Sequence, residues 1–96
     1  MIEVRRTDVF DIWLRGLCDE RAFARIVRRL DRLAEGNPGD AKSIGDGVSE
    51  LRIDYGPGYR VYFTRRSEAI VLLLCGGDKD NQVRDIRIAK GLAKEV

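Results

Sequence analysis

Ninety-six residues, 44% hydrophobic and 35% charged, fit one small globular domain, residues 1–96, and exclude a disordered chain. No apolar run approaches the roughly 20 residues of a membrane span, and Arg5, Arg6 and Asp8 interrupt any secretion signal, so the expected compartment is the cytoplasm. A net charge of +2 is not the strongly basic balance of a dedicated nucleic-acid binder.

Ile2 and Val4 suggest a short first strand. Val9, Phe10, Trp13, Leu14 and Leu17 then recur at helical spacing, with Thr7 or Asp8 able to cap the start. Asp19 can cap a second helix with Phe23, Ile26, Leu30, Leu33 and Ala34 on one face. Gly36-Asn37-Pro38-Gly39 ends it, and two helices joined so tightly predict an antiparallel hairpin. An apolar stripe on each helix needs a sheet to cover it.

That sheet is a three-stranded antiparallel meander. Leu51, Ile53 and Tyr55 alternate with Glu50, Arg52 and Asp54; Tyr59, Val61 and Phe63 alternate with Arg60, Tyr62 and Thr64. Between them, Pro57 and Gly58 suit the second and third positions of a type II turn. The third strand, Ile70 to Cys75, is apolar on both faces and therefore central or covered on both. A last helix begins near Asp80 and buries Val83, Ile86, Ala89 and Leu92. The predicted class is α+β.

Period-two parity sorts the sheet faces. If Leu51, Ile53, Val61 and Phe63 pack on the helices, then Glu50, Arg52, Asp54, Arg60 and Tyr62 share the opposite face. Two arginines and a tyrosine there suggest an open surface for something anionic and flat. Tyr55 and Tyr59 fall on the core side. Cys18 and Cys75 lie far apart without C-x-x-C spacing and read as small apolar fillers. With no histidine either, no metal or cofactor is expected.

From Phe10 to Ala93 the chain resembles toxins of the RelE/ParE superfamily from type II toxin–antitoxin modules. It is most similar to the HigB-like addiction-module killer proteins related to phage Gp49-like proteins. The resemblance is carried by Phe10-Asp11-Ile12-Trp13-Leu14, Gly36-Asn37-Pro38-Gly39-Asp40 and Gly47-Val48-Ser49-Glu50-Leu51-Arg52-Ile53. It continues through Gly56-Pro57-Gly58-Tyr59-Arg60-Val61-Tyr62-Phe63 and Leu73-Leu74-Cys75-Gly76-Gly77-Asp78-Lys79. It implies a RelE-like fold and a cognate antitoxin, usually a small helix-turn-helix protein. Many such toxins are ribosome-dependent mRNA endonucleases, whereas ParE members inhibit DNA gyrase.

Metal-free RNA cleavage needs a base for the attacking 2′-hydroxyl, cations for the charge on phosphorus and an acid for the leaving oxygen. Arg60, matching the arginine of the family's Gly-Tyr-Arg signature, is the first candidate for the phosphate, and Arg52 across the hairpin is the second. Lys79, at a helix start whose amides attract anions, is placed to hold phosphate or protonate the leaving group. Lys42 matches a lysine-bearing position of the family in the loop before the sheet, which by that resemblance would complete a cationic ring. The base falls to Glu50, Tyr62 or a lysine of lowered pKa. The last helix supplies none of the histidine or tyrosine that some members place there.

Plainer readings stand beside these. Arg52 and Arg60 can pair with Glu50 and Asp54 across the strands. Gly76-Gly77-Asp78-Lys79 lacks P-loop spacing, and Asp78 and Asp80 read as helix caps. Arg21, Arg25, Arg28, Arg29 and Arg32 on the second helix are either a solvated face or a contact for ribosomal RNA or acidic antitoxin segments.

Overall fold

The computed structural model describes residues 1–96. In chain order the elements are β1 (Glu3–Arg6), α1 (Asp8–Arg15), α2 (Glu20–Ala34), β2 (Ala41–Gly45), β3 (Val48–Ile53), β4 (Tyr59–Ser67), β5 (Ile70–Asp78), a 3-10 turn (Lys79–Asn81) and α3 (Gln82–Glu95). The strands form one mixed sheet in the order β1-β5-β4-β3-β2, with β1 parallel to β5 and every other pair antiparallel. The class is α+β, and the expected meander is the centre of a wider sheet.

The helix ends follow from the caps. Thr7 Oγ1 accepts the Phe10 amide at 3.0 Å and donates to the Leu74 carbonyl at 2.6 Å, tying α1 to β5. Asp19 accepts the Arg21 and Ala22 amides at the start of α2. At its other end Gly36 turns left-handed at φ 87°, Asn37 N–H reaches the Arg32 carbonyl and Gly36 N–H that of Leu33. That pair of bonds is a Schellman stop.

α1 lies on β5 and α2 on β3, and their apolar stripes meet the sheet in the main core. Phe10, Leu14, Ile26, Leu30 and Leu33 pack there on Leu51, Ile53, Val61, Phe63, Val71 and Leu73. The expected parity of β3 and β4 therefore holds on this side. Each helix is rotated slightly from its expected face. Val9 and Phe23 are exposed, and Ala22 takes a buried position instead.

The opposite sheet face departs further from expectation. α3 lies across it and closes a second core of Val48, Tyr62, Leu74, Cys75 and Ala89. Val83, expected inside, is exposed, and Asp85 occupies an inward position. A bulge leaves Leu74 without a partner on β4, so that Leu74 and Cys75, consecutive in sequence, both enter this core. The face expected to be open is thus open only at its hairpin end.

The turn there also differs by one residue. Gly58 N–H bonds the Tyr55 carbonyl at 3.1 Å, placing Gly56 second with φ 56° and Pro57 third. Positive φ at the second position belongs to a primed turn, whose twist matches the strands it joins. Gly58, also left-handed at φ 81°, leads into β4.

Candidate functional site

At this open end a cleft of about 450 Å³ is lined by Asp40, Arg52, Asp54, Gly56, Pro57, Gly58, Arg60 and Lys79. Strand register creates it. Arg52 stands directly opposite Arg60 on β3 and β4, and Tyr59 opposite Asp78 brings the following Lys79 alongside. Lys79 leans on the turn: a β-carbon added to Gly58 would lie 3.4 Å from Lys79 Cβ and 3.5 Å from Arg60 Nη1.

Two like charges directly opposite repel, and each arginine has its own carboxylate. Arg52 donates from Nε and Nη2 to Asp40 Oδ1 at 3.3 and 3.1 Å, on the surface. Arg60 faces inward. Its Nε lies 3.8 Å from Glu50 Oε1, its Nη1 donates to the Gly58 and Tyr59 carbonyls, and its side chain is only 12% exposed. The plainer reading of strand-to-strand pairing is right for Arg60 with Glu50. Arg52 pairs with Asp40 rather than Asp54.

Glu50 and Tyr62, expected to face substrate, are fully buried. Glu50 Oε2 accepts from Tyr62 Oη at 3.2 Å and from Gln82 Nε2 at 2.7 Å. Burial, reinforced by Glu50, pushes the Tyr62 hydroxyl above the ordinary phenol range. A phenol so placed is a poor base, and neither residue reaches solvent. α3, which covers both, is the reason.

Lys42 is on edge strand β2 opposite Glu50, not in a loop, and does not line the cleft. Lys79 is exposed, but the turn amide beside it is taken: Asp78 Oδ1 accepts Asn81 N–H at 3.2 Å. Asp78 thus acts as the expected cap, and Lys79 stands in the cleft as a cation with no ion-pair partner. Gly76 and Gly77 belong to β5, not to a loop. A β-carbon would meet Trp13 at 2.3 Å from Gly76 and Asp85 Oδ2 at 1.8 Å from Gly77. Both glycines are there for close packing.

A second groove of about 540 Å³ runs along α2, lined by Arg21, Arg25, Arg28, Arg29 and Arg32 with Asp54. Arg29 is a structural strut whose guanidinium bonds the Arg52, Pro38 and Asp40 carbonyls. Arg25 lies over the Tyr55 ring, 4.7 Å from its centroid. Arg21, Arg28 and Arg32 have no partner within the chain. Asp54, likewise unpaired, lines both cavities and joins them.

Asp40 and Gln82 are the site residues to which sequence reasoning gives no role, and it places Asp54 on the arginine face only as a pairing partner. Asp40 precedes β2, and only the Ala41–Leu51 register sets it against Arg52, whose amide bonds the Asp40 carbonyl at 2.9 Å.

The family described as Phage derived protein Gp49-like (DUF891) matches residues 13–94. An uncharacterized protein of Haemophilus influenzae is 52% identical over 95 residues, covering 99% of this chain and 96% of that protein. No helix is long and apolar enough to cross a membrane. The chain belongs to the phage-derived Gp49-like protein family, which is associated with RelE-like toxins of toxin–antitoxin modules.

Proposed function

We propose that this protein is the toxin of a type II toxin–antitoxin pair, a HigB-like, metal-independent mRNA endonuclease that works on the ribosome and is neutralised by a small helix-turn-helix antitoxin. The strand and two helices ahead of an antiparallel meander suit a RelE-like arrangement. One observation carries the reading: Arg52, Arg60 and Lys79 line a single cleft that continues, through Asp54, into an arginine-lined groove.

In this reading the scissile phosphate sits between Arg60 and Lys79. Arg52 lends charge to a neighbouring phosphate, and Lys42 holds backbone further along the same edge. Asp54, the cleft carboxylate without a paired cation, takes the proton of the 2′-hydroxyl. Lys79 returns a proton to the departing 5′-oxygen. Arg60 offsets the charge gathering on phosphorus, where a fixed donor is worth more than in water. Glu50 and Tyr62 support Arg60 from beneath rather than touch RNA.

A second reading rests on the same geometry. Asp40 and Glu50 offset Arg52 and Arg60, and the chain has no histidine, which favours a toxin that binds without cutting, such as a gyrase inhibitor. Primer extension on a defined mRNA in a reconstituted translation system separates the two. The endonuclease produces new 5′ ends inside the translated frame, dependent on ribosomes and lost in Arg60→Ala and Lys79→Ala. An intact message, together with inhibited supercoiling by gyrase, would establish the second reading.

A further inference from the structure

We propose that Glu50 is a positioning residue for Arg60, held in its working orientation by Gln82, so that the seating of α3 sets which edge of the Arg60 guanidinium faces the cleft. The inference rests on the reading of that cleft as an anion site.

Four observations lead to it. The Glu50 side chain is completely buried, and Arg60 is the one cation within ion-pair distance of it. Both of its hydrogen bonds go to Oε2, from Tyr62 and from Gln82. Oε1 has no hydrogen bond, and neither does the buried Arg60 Nε that it faces at 3.8 Å. Gln82 opens α3, whereas Tyr62 and Arg60 belong to β4.

A carboxylate this dry is retained only with compensation from charge and hydrogen bonds. Glu50 gets its hydrogen bonds on one oxygen and its opposite charge on the other. The two bonds at Oε2 fix the carboxylate plane and so aim Oε1 at Nε. A guanidinium has five N–H donors in a rigid plane. With Nε drawn toward Glu50 and Nη1 bonded to the Gly58 and Tyr59 carbonyls, Nη2 is the nitrogen left without a protein partner. The carboxylate attracts Nε across 3.8 Å without a hydrogen bond, so its orientation biases the guanidinium that Nη1 anchors at the other end. Gln82 makes the shorter of the two bonds, at 2.7 Å against 3.2 Å for Tyr62, and it alone comes from outside the sheet. The Glu50 orientation is thereby coupled to α3.

Two measurements on the intact chain test this, using Glu50→Gln and the milder, half-buried Gln82→Ala. The first is ¹⁵N NMR of the Arg60 Nε–H, assigned by its disappearance in Arg60→Lys. In the wild type, burial should make it exchange slowly with solvent. In either variant exchange accelerates by about tenfold or more, as a locally freed group would. The second is anisotropy of a short fluorescent single-stranded RNA. Each variant weakens binding, and adding Arg60→Ala to either weakens it no further than Arg60→Ala alone, the non-additivity of residues acting as one unit. An unchanged Nε–H signal in both folded variants would overturn the proposal. Full additivity with Arg60→Ala would do the same. If the Nε–H is freed while RNA binding ignores even Arg60→Ala, the positioning stands and the reading of the cleft falls.

Discussion

The packing of Gly76 beneath Trp13 gives the sharpest prediction. An alanine β-carbon there would sit 2.3 Å from Trp13 Cε3 and Cζ3 and 2.6 Å from Cδ2. Carbon atoms rest about 3.5 Å apart or more, so the ring must retreat by about 1 Å. Although the ring is only partly buried, that retreat disturbs its aromatic neighbours. Trp13 is fixed between Phe10 and Tyr59, with ring centroids at 5.8 and 6.3 Å. Overpacking costs about 1–3 kcal/mol, and loosening the aromatic contacts adds about 1 kcal/mol. For a domain of this size the expected loss of about 3 kcal/mol lowers Tm by about 12–24 °C. Circular dichroism reads the melt, and Trp13, the only tryptophan, reports the displaced ring by its own fluorescence. In a Trp13→Leu background the same Gly76→Ala change should be nearly neutral, because the atoms it strikes are gone. A Tm within about 2 °C of wild type, or a cost undiminished by Trp13→Leu, would refute the packing account. Weakened RNA binding at unchanged Tm would instead mark a phosphate-binding backbone.

Arg29→Ala removes a charged donor from three carbonyls and should cost about 2–3 kcal/mol in a urea melt, while Arg32→Ala, without a partner, stays within about 0.5 kcal/mol of wild type. Burial holds the Asp85 carboxyl above its ordinary range, with the Arg84 guanidinium opposing. A carboxyl whose folded pKa is raised favours folding when protonated and loses that contribution as pH rises through the folded value. Asp85→Asn should therefore stabilise at pH 7, with the gain vanishing below about pH 4; thermal melts across that range check the sign. Burial, with Asp85 nearby, pushes the Cys75 thiol up to about 12, whereas Cys18 is exposed. A thiol reagent should thus label Cys18 in the native protein and Cys75 only after unfolding.

What was legible in the sequence was whatever one element decides alone. Thr7, Asp19 and Gly36 are local devices, and each acts as expected at its helix end. Period-two alternation in β3 and β4 correctly named the residues of the main core. Features set by pairing were not legible. β2 offers only Ala41 and Ile44 as apolar residues, three apart, and a bulge between Ser43 and Gly45 breaks its alternation. Without β2, Asp40 had no visible partner. Cys18, read as an apolar filler, is exposed between the helices because α1 ends at Arg15. The largest departure concerns Glu50 and Tyr62. Parity put them on the arginine face correctly, but it cannot say where a later helix will lie. α3 buries the near half of that face because Asp85 and Ala89 point inward while Val83 points out.

The line where that cover stops decides how much charge the cleft presents. Beneath α3, Glu50 offsets Arg60; beyond it, Asp40 offsets Arg52, and Lys79 is the cation left over. The two offsets are not alike. Glu50 is buried and cannot be removed without rearranging Arg60, whereas the Arg52–Asp40 pair is 38% and 57% exposed. An exposed pair contributes about 0–1 kcal/mol, so Asp40→Asn should leave the melt nearly unchanged. It frees the Arg52 fork for phosphate, and by the same magnitude it should tighten binding of a short RNA by up to about fivefold at low salt, fading as salt screens the cleft. Lys79→Ala should act in the opposite direction. The Asp40 carbonyl that accepts from Arg29 and the Arg52 amide is untouched by the substitution, which keeps the local fold. If neither variant shifts RNA affinity, the cleft is not where phosphate binds. The arginine groove along α2 then becomes the surface to mutate next, beginning with the unpartnered Arg21, Arg28 and Arg32.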